Sequence, residues 1–303
     1  MNSVIEALTE KPLLCDGAMG TQLQRHGLKP GECGDSWNVE YPDRVLKIQK
    51  GYVDAGVDCL TSNTFGACRI SLQRHGYGDR VREINEAAVR IAREALGPDH
   101  GFVLGDIGPF GGLMEPFGNV SAQEVREAFL EQAQALVGAG ADAIIIETQT
   151  DLNELGIAIE VSREAGASCV IASVSYDVIR EGTDVRTMMG IAPEEVATFA
   201  QEKGVDVIGT NCGTEVDMDW AARILLRYRV NCDLPLLAQT NAGKPSLQGR
   251  EVVYEESSEE FASGTGRLLA AGARIVGACC GSTPEHISRM RKQLDSYLAA
   301  ERA

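Results

Sequence analysis

Short apolar runs alternate with longer amphipathic segments along the whole chain. Eight runs rich in β-branched and apolar residues, each bounded by small or polar residues, are typical of buried strands. They cover residues 13–15, 58–61, 102–105, 143–146, 169–174, 205–209, 234–239 and 274–277. Segments between them, such as 44–56, 80–96 and 121–140, repeat apolar residues with the 3.6-residue period of a helix. The pattern therefore predicts a series of βα units.

A recurring tetrapeptide joins predicted helices to the strands that follow them. Ala-Gly-Val-Asp at 55–58 and Ala-Gly-Ala-Asp at 139–142 place a glycine just past a helix, and Ala-Gly-Ala-Arg at 271–274 repeats the form. Such a glycine is typical of an αβ turn. Eight units in 303 residues suit a (β/α)8 barrel, with a doubly wound open sheet as the alternative. Because no linker interrupts the pattern, we expect a single barrel domain over 1–303.

Composition excludes several classes of partner. The net charge of −16 at pH 7 would repel nucleic acid phosphates and anionic lipid headgroups. The sequence has neither an apolar run long enough to cross a membrane nor the pattern of a signal peptide. We therefore expect a cytoplasmic protein that binds neither nucleic acid nor membrane. Its nine cysteines, an odd number, are expected to be reduced thiols.

Three of the cysteines follow predicted strands. Cys212 comes after the sixth strand, and Cys279 and Cys280 come after the eighth. In a (β/α)8 barrel the chemistry lies at the carboxyl ends of the strands, so these thiols would meet at one mouth. Three thiolates with an open fourth position are typical of a catalytic zinc site. Neighbouring strand residues point to opposite faces, so Cys279 and Cys280 can share a metal only if the chain has left the strand, which Gly281 makes easier.

The simpler interpretation of each thiol is a small buried apolar side chain. That interpretation is the one we adopt for Cys15, Cys59 and Cys169, which lie within apolar runs. The sequence assigns no role to the three remaining cysteines, which are Cys33, Cys68 and Cys232.

Seven ordered motifs carry a resemblance that covers nearly the whole chain. They are DGAMGTQL (16–23), SNTFGA, GDIGPFG, IIIETQTDLNE, GTNCG, TNAGKP and GACCGSTPEHI (277–287). Together they resemble the homocysteine S-methyltransferase family, which includes the homocysteine-binding module of cobalamin-dependent methionine synthase and betaine-homocysteine methyltransferase. The resemblance implies a zinc-dependent enzyme of methionine biosynthesis that methylates L-homocysteine. It also implies Cys212, Cys279 and Cys280 as the zinc ligands, with Asn241 as a weak fourth ligand.

The same resemblance implies a set of substrate contacts. Asp16 and Glu147 are similar to the residues that hold the substrate ammonium, and such a charge-assisted hydrogen bond would favour homocysteine over a plain alkyl thiol. Contacts to the rest of the substrate, including its carboxylate, are expected at Gly17, Ser62, Asn63 and Thr64. For Ser62, hydrogen bonding within its own loop is an equal alternative.

The methyl donor is the open question. The family takes methyl groups from corrinoid cobalt, S-methylmethionine or betaine. Residues 175–195 resemble the methionine synthase branch, so we expect a methyl-corrinoid on a separate protein, with a sulfonium or quaternary ammonium donor as the alternative. Two other classes remain open, a lyase or isomerase barrel that uses Asp106 and Glu147 as acid and base, and a catalytically silent zinc-binding or partner-binding barrel. The oligomeric state and the range of thiol acceptors are not readable from the sequence.

Overall fold

The computed structural model describes residues 3–97, 100–179, 182–248 and 251–301, and its core is a sheet of eight parallel strands. The sheet contains β1 (Leu13–Leu14), β2 (Cys59–Thr61), β3 (Phe102–Ile107), β4 (Ala143–Gln149), β5 (Val170–Val174), β8 (Val207–Asn211), β9 (Leu236–Thr240) and β12 (Ala273–Ala278). Two antiparallel hairpins are inserted, β6 (Asp177–Ile179) with β7 (Asp184–Arg186), and β10 (Pro245–Gln248) with β11 (Glu251–Tyr254). The first edge of the sheet meets the last through a parallel bridge between Cys15 and Cys59. The sheet is thereby a nearly closed barrel.

Helices surround the barrel in the βα order that the sequence predicts. They are α1 (Val4–Glu10), α2 (Gly20–Arg25), α3 (Trp37–Glu40), α4 (Pro42–Asp54), α5 (Arg69–Gln73), α6 (Val81–Leu96), α7 (Ala122–Gly138), α8 (Leu152–Glu164), α9 (Pro193–Glu202), α10 (Met218–Asn231), α11 (Ser258–Ser263), α12 (Thr265–Ala270) and α13 (Pro284–Glu301). Among the described residues, no helix combines the length and the apolar composition that a membrane crossing requires.

Strand side chains alternate between the barrel interior and the helices. Ile144 and Ile146 pack outward, whereas Ala143 and Ile145 belong to a separate inner cluster. The other strands contribute to that inner cluster in the same way, and Val4 and Leu8 of α1 close it at the amino end. Continuing the two-residue period toward the carboxyl ends brings polar side chains inward, because position 147 follows 143 and 145. The two-residue alternation that places apolar side chains in the barrel core therefore also places polar side chains at its mouth.

Aspartates just before strands tie neighbouring strands together at the amino end, two from the recurring tetrapeptide and a third from the related Lys-Gly-Val-Asp at 203–206. Each such carboxylate accepts the backbone N–H of an adjacent strand at 2.7 to 2.9 Å and pairs with an arginine from a helix. The sets are Asp58 with Leu14 and Arg291, Asp142 with Val103 and Arg93, and Asp206 with Val170 and Arg163. Arg274, in the divergent copy, instead donates Nε–H to the Leu8 carbonyl at 2.9 Å.

The predicted architecture is confirmed, with differences at element boundaries. All eight predicted strands are present, and the helix predicted over 121–140 is α7, capped by the Ser121 hydroxyl. The first strand is shorter than predicted: Cys15 donates its N–H to the Val276 carbonyl at 2.8 Å but pairs with Cys59 only as an isolated bridge. The two hairpins were not predicted, since each of their strands has only three or four residues and lies within a connection between barrel strands.

Candidate metal centre and substrate cavity

A cavity of about 360 Å³ opens at the carboxyl end of the barrel. It is lined by residues at the carboxyl ends of β3, β4 and β9 and by the connections after β1, β2, β8 and β12. Nine residues that the sequence nominated line it together, namely Asp16, Gly17, Ser62, Asn63, Thr64, Glu147, Cys212, Cys279 and Cys280. These residues span more than 260 positions of sequence, and only the closed barrel brings them to one place.

The three cysteines form a cluster on one side of the cavity. Their sulfur atoms lie within 4.8 Å of one another, and the Cys279 and Cys280 sulfurs are 3.9 Å apart. Strand β12 ends at Ala278, so both cysteines lie beyond it, as the sequence argument required. Gly281 then takes φ of 82°, a left-handed conformation that favours glycine. The turn lets two adjacent side chains face the same point.

Cys212 is held in an unusual backbone conformation directly after β8. Its φ is 57°, and Gly213 follows at 92°. A side chain on Gly213 would place its Cβ 2.1 Å from the Tyr176 carbonyl oxygen, so only glycine fits there. The Cys212 N–H donates to the Gln239 carbonyl at 3.0 Å, which continues the ladder for one residue past the strand.

The donor set fits a thiophilic metal such as zinc. Two sulfurs each about 2.3 Å from a tetrahedral zinc are about 3.8 Å apart, close to the observed Cys279–Cys280 separation. Hydrogen bonds from Cys279 and Cys280 hold the pKa of the Cys212 thiol well below its usual range, whereas the pKa of Cys279 is raised by the same contacts. Cys212, Cys279 and Cys280 would hold the metal, and this is the one group of potential metal ligands found among the described residues.

Asn241 lies next to this cluster. Its Oδ1 accepts the Cys280 N–H at 3.1 Å, and its Nδ2 donates to the Gly213 carbonyl at 3.2 Å. The side chain therefore ties together the two turns that carry the cysteines. Its role as a fourth metal ligand stays a prediction.

The other six cysteines are buried free thiols. Cys15, Cys59 and Cys169 belong to the inner barrel cluster, which confirms their assignment to the core. Cys33, Cys68 and Cys232 are buried in other parts of the structure and do not join the metal cluster.

Carboxyl groups form the floor of the cavity. Burial raises the pKa of Asp16 to about 6 and that of Glu147 to about 7. Asp106 interacts with Glu147, and burial together with the nearby Glu147 carboxylate raises its pKa well above the usual range. No lysine or arginine side chain lines the cavity within the described parts of the chain. The site is therefore suited to a cation.

Asp16 and Glu147 have different hydrogen-bonding capacity left. Asp16 accepts the Thr61 N–H at 2.8 Å, the Thr61 hydroxyl at 2.9 Å and the Cys15 thiol, so both of its oxygens already join β1 to β2. Glu147 accepts a hydrogen bond from Asn211 Nδ2 at 3.2 Å and is hydrogen-bonded to the Asp106 carboxyl. Of the two carboxylates, Glu147 has more capacity for a ligand.

The residues after β2 hold their own loop with their side chains. Ser62 Oγ accepts the Asp106 N–H at 3.0 Å and is hydrogen-bonded to Thr64 Oγ1 at 2.7 Å. Asn63 Nδ2 donates to the Gly34 carbonyl at 3.0 Å. Within the described chain, the N–H groups of Asn63 and Phe65 have no hydrogen-bond acceptor. The Ser62 and Thr64 hydroxyls are therefore engaged in hydrogen bonds within the protein.

Sequence reasoning missed a polar residue at the centre of the site. Asn211 ends β8, is 1% exposed, and contacts both Glu147 and Thr148. The sequence does contain a signal for it. Asn211 lies two residues after Gly209 and four after the inward-facing Val207, so the strand alternation predicts that its side chain points inward as well. Asp35, also unpredicted, lines the cavity and accepts the Gly66 N–H at 3.0 Å.

Comparison with known proteins agrees with this geometry. The family model for homocysteine S-methyltransferase matches residues 13–294. The chain belongs to the homocysteine S-methyltransferase family. The family consists of methyl-transferring enzymes of class EC 2.1.1, so the predicted resemblance is confirmed.

Two curated relatives are methionine synthases. The protein from Mycobacterium tuberculosis is 31% identical over 312 residues, covering 99% of this chain, and that from Mycobacterium leprae is 32% identical over 300 residues, covering 94%. These alignments cover 26% and 24% of the relatives, so the chain spans about a quarter of their length. The match therefore concerns one segment of a longer enzyme.

Solved structures share the fold. The metallated form of the homocysteine methyltransferase MmuM from Escherichia coli superposes with a TM-score of 0.77 at 22% identity, covering 95% of this chain and 99% of that one. A methyltransferase from Methanosarcina mazei gives 0.59 at 12% identity, covering 97% and 98%. At these identities the likeness extends to the barrel alone.

Proposed function

We propose that this chain is a zinc-dependent methyltransferase that transfers a methyl group from a methyl-corrinoid protein to the thiolate of L-homocysteine, giving methionine. The observation that carries the proposal is the cluster of Cys212, Cys279 and Cys280 beside Glu147 in a cavity without cationic side chains. Homocysteine joins a thiol to an ammonium group, and this cavity combines a site for each. We also propose that it acts in the cytoplasm and that residues 1–303 form one homocysteine-binding barrel domain.

The chain's residues divide the work of binding. Cys212, Cys279 and Cys280 hold the zinc, which when bound lowers the pKa of a coordinated thiol and so supplies a thiolate near neutral pH. Glu147 accepts the substrate ammonium, and Asp16 adds negative charge beside it. The unpaired N–H groups of Asn63 and Phe65 are suited to the substrate carboxylate. Gly17 brings its loop close to the mouth, because a Cβ there would lie 2.4 Å from Ser282 Oγ.

The methyl transfer is a nucleophilic displacement. The homocysteine thiol loses its proton, its sulfur forms a bond to the methyl carbon, and the carbon–cobalt bond breaks with both electrons remaining on the corrinoid. Asn241 fits a supporting role, since it holds the Cys280 and Gly213 backbones in place and lies near enough to be the predicted weak fourth ligand.

The rim of the mouth favours a macromolecular donor. Phe65, 45% exposed, lines the cavity, and the exposed Leu113, Met188 and Met189 line a second pocket that shares Thr148 with it. Exposed apolar groups gathered around a site are typical of a surface that a partner covers. A small sulfonium or betaine donor would not need such a rim.

Metal content is the first test. We expect about one zinc per chain in the wild type and none in Cys212→Ala, while Cys232→Ala, a buried thiol remote from the mouth, retains it. Isothermal titration with L-homocysteine should release a proton in the wild type and Cys232→Ala only. A wild type that binds no zinc after anaerobic addition would instead favour the lyase or isomerase alternative with Asp106 and Glu147. Zinc without homocysteine binding would favour the silent barrel.

A second assay identifies the donor. Methylcobalamin, S-methylmethionine and betaine are offered separately to the zinc-loaded protein with homocysteine. Turnover with methylcobalamin supports the corrinoid proposal, and turnover with S-methylmethionine or betaine alone would overturn it.

A further inference from the structure

Asn211 makes four hydrogen bonds inside the mouth, three with Glu147 and Thr148 of β4 and one with Ser173 of β5. Its Oδ1 accepts the Thr148 N–H at 2.9 Å and the Ser173 hydroxyl at 2.7 Å. Its Nδ2 donates to Glu147 Oε2 at 3.2 Å and to Thr148 Oγ1 at 2.7 Å. The two oxygen contacts are with donors, so the orientation of the amide is determined by the network. Every hydrogen-bonding position of this buried side chain is used.

The same contacts support a strained backbone. Thr148 has φ of 58°, in the left-handed region that β-branched residues rarely adopt. Asn211 holds Thr148 from both its N–H and its hydroxyl, and Thr148 directly follows Glu147. On its other side, Asn211 directly precedes Cys212, whose φ is 57°. One rigid amide therefore lies between the carboxylate and a thiol of the metal cluster.

The amide also acts on the charge of Glu147. Glu147 and Asp106 are two interacting carboxyl groups in one buried site, and two such groups resist simultaneous ionisation. Asp106 Oδ1 is buried and has no hydrogen-bond donor among the described residues, whereas Glu147 receives the Asn211 N–H. A hydrogen bond with Asp106 lowers the pKa of Glu147, and the Asn211 N–H is a second donor to the same carboxylate, so both contacts favour the negative charge on Glu147 and the proton on Asp106.

We propose that Asn211 is a positioning residue that determines the preference for an amino-bearing thiol, because it keeps the Glu147 carboxylate ionised and at a set distance from the metal-binding thiols. This inference rests on the proposed function, in which Glu147 receives the substrate ammonium. Asn211 itself touches neither the ammonium nor the metal. It acts through the orientation and charge of its neighbour.

The test compares two ligands of the zinc-loaded protein. L-homocysteine and 4-mercaptobutanoate have the same chain, thiol and carboxylate, but only homocysteine has the amino group. Asn211→Asp keeps the acceptor for Thr148 and Ser173 and replaces the donor to Glu147 with an oxygen. We expect its affinity for homocysteine to fall about ten- to hundredfold, the loss of one charge-assisted hydrogen bond, with affinity for 4-mercaptobutanoate and zinc content nearly unchanged. Asn211→Ser, which is too short to reach Glu147, should shift the preference in the same direction and serves if the aspartate variant does not fold.

Controls separate positioning from general structure. Ser173→Ala removes one contact of Asn211 but leaves its bond to Glu147, so the preference should stay at the wild-type ratio. In a double-mutant cycle, Asn211→Asp should add no further loss of preference in Glu147→Gln, where the charge is already absent. Unchanged preference in folded Asn211 variants, or equal loss of both thiols together with zinc, would overturn the inference. A wild type that binds homocysteine no better than 4-mercaptobutanoate would overturn the proposed amino-group site as well.

Discussion

Individual residues at the mouth are held in conformations that the rest of the barrel avoids. Thr148 and Cys212 both have positive φ. Thr148 follows Glu147 near the end of β4, and Cys212 follows Asn211, the last residue of β8. Such conformations cost about 1–3 kcal/mol each for residues other than glycine and persist only where surrounding contacts hold them. At this site the Asn211 amide and the Gln239 carbonyl provide those contacts. The strained backbone therefore lies at the residues that orient the Cys212 thiol and the Glu147 carboxylate.

Gly213→Ala tests the close packing beside Cys212. Gly213 and Gly140 both have φ of 92°, but an added Cβ meets the Tyr176 carbonyl at Gly213 and open space at Gly140. Gly140→Ala should cost about 1 kcal/mol of unfolding free energy from strain alone. Gly213→Ala should cost clearly more and lower the zinc content, because it displaces Cys212. Urea denaturation and metal analysis measure both, and equal losses in the two variants would contradict this account.

At the scale of elements, the helices determine where the strand-end loops lie. Helix α8 begins beside the connection after β3, and its Glu154 accepts the Phe110 N–H at 2.7 Å. Burial raises the pKa of Glu154 to about 7. The cap of α8 is Asp151, whose negative charge raises that pKa further. A helix residue thus stabilises a loop that carries part of the mouth.

This buried acid predicts a pH dependence of stability. The folded pKa of Glu154 lies above its unfolded value, so its contribution is fully present below about pH 4.5 and is lost as pH rises through about 7. Glu154→Gln keeps an acceptor for Phe110 but cannot ionise. Between pH 4 and pH 8, the unfolding free energy of the variant should rise by about 3 kcal/mol relative to that of the wild type. Urea unfolding of both proteins across this range checks it, and parallel stability curves would refute it.

At the scale of the whole molecule, the two ends of the barrel have different tasks. The amino end carries the Asp58, Asp142 and Asp206 contacts that join strands to one another and to the helices. The carboxyl end carries the thiols, the carboxylates and the apolar rim. This division is the usual one in (β/α)8 barrels. Changes at the amino end should therefore alter stability without altering the site.

Asp142 offers the matching test. Asp142→Ala leaves the Val103 N–H and the Arg93 guanidinium without their acceptor and should cost about 1–3 kcal/mol of unfolding free energy. Asp142→Asn retains an acceptor for Val103 and should cost less. Both variants should bind zinc and homocysteine with wild-type affinity below their melting temperature. Weaker homocysteine binding by a folded Asp142 variant would show that the two ends are coupled.

Much of this site was predictable from the chain. The βα order, the (β/α)8 barrel and the convergence of Cys212 with Cys279 and Cys280 follow from apolar periodicity and from the positions of these residues just after strands. Ser62 and Thr64 were predicted as ligand contacts through backbone amides or hydroxyls, with hydrogen bonding of the loop as an equal alternative for Ser62. Their hydroxyls bond within the loop and to β3, and the ligand contacts stay a prediction. A hydroxyl near a mouth has many possible partners, and local sequence does not choose among them.

The sequence by itself determined the fold and the chemical groups at the mouth, because strand periodicity and strand-end position are local properties of the chain. Only the tertiary structure decided how those groups are paired. Asn211 contacts Glu147 across 64 positions of sequence, and Asp106 faces the same carboxylate from β3. Those contacts depend on the closure of the barrel and on strained turns at Thr148 and Cys212. The charge and direction of a buried carboxylate are set by such distant neighbours, which no local pattern records.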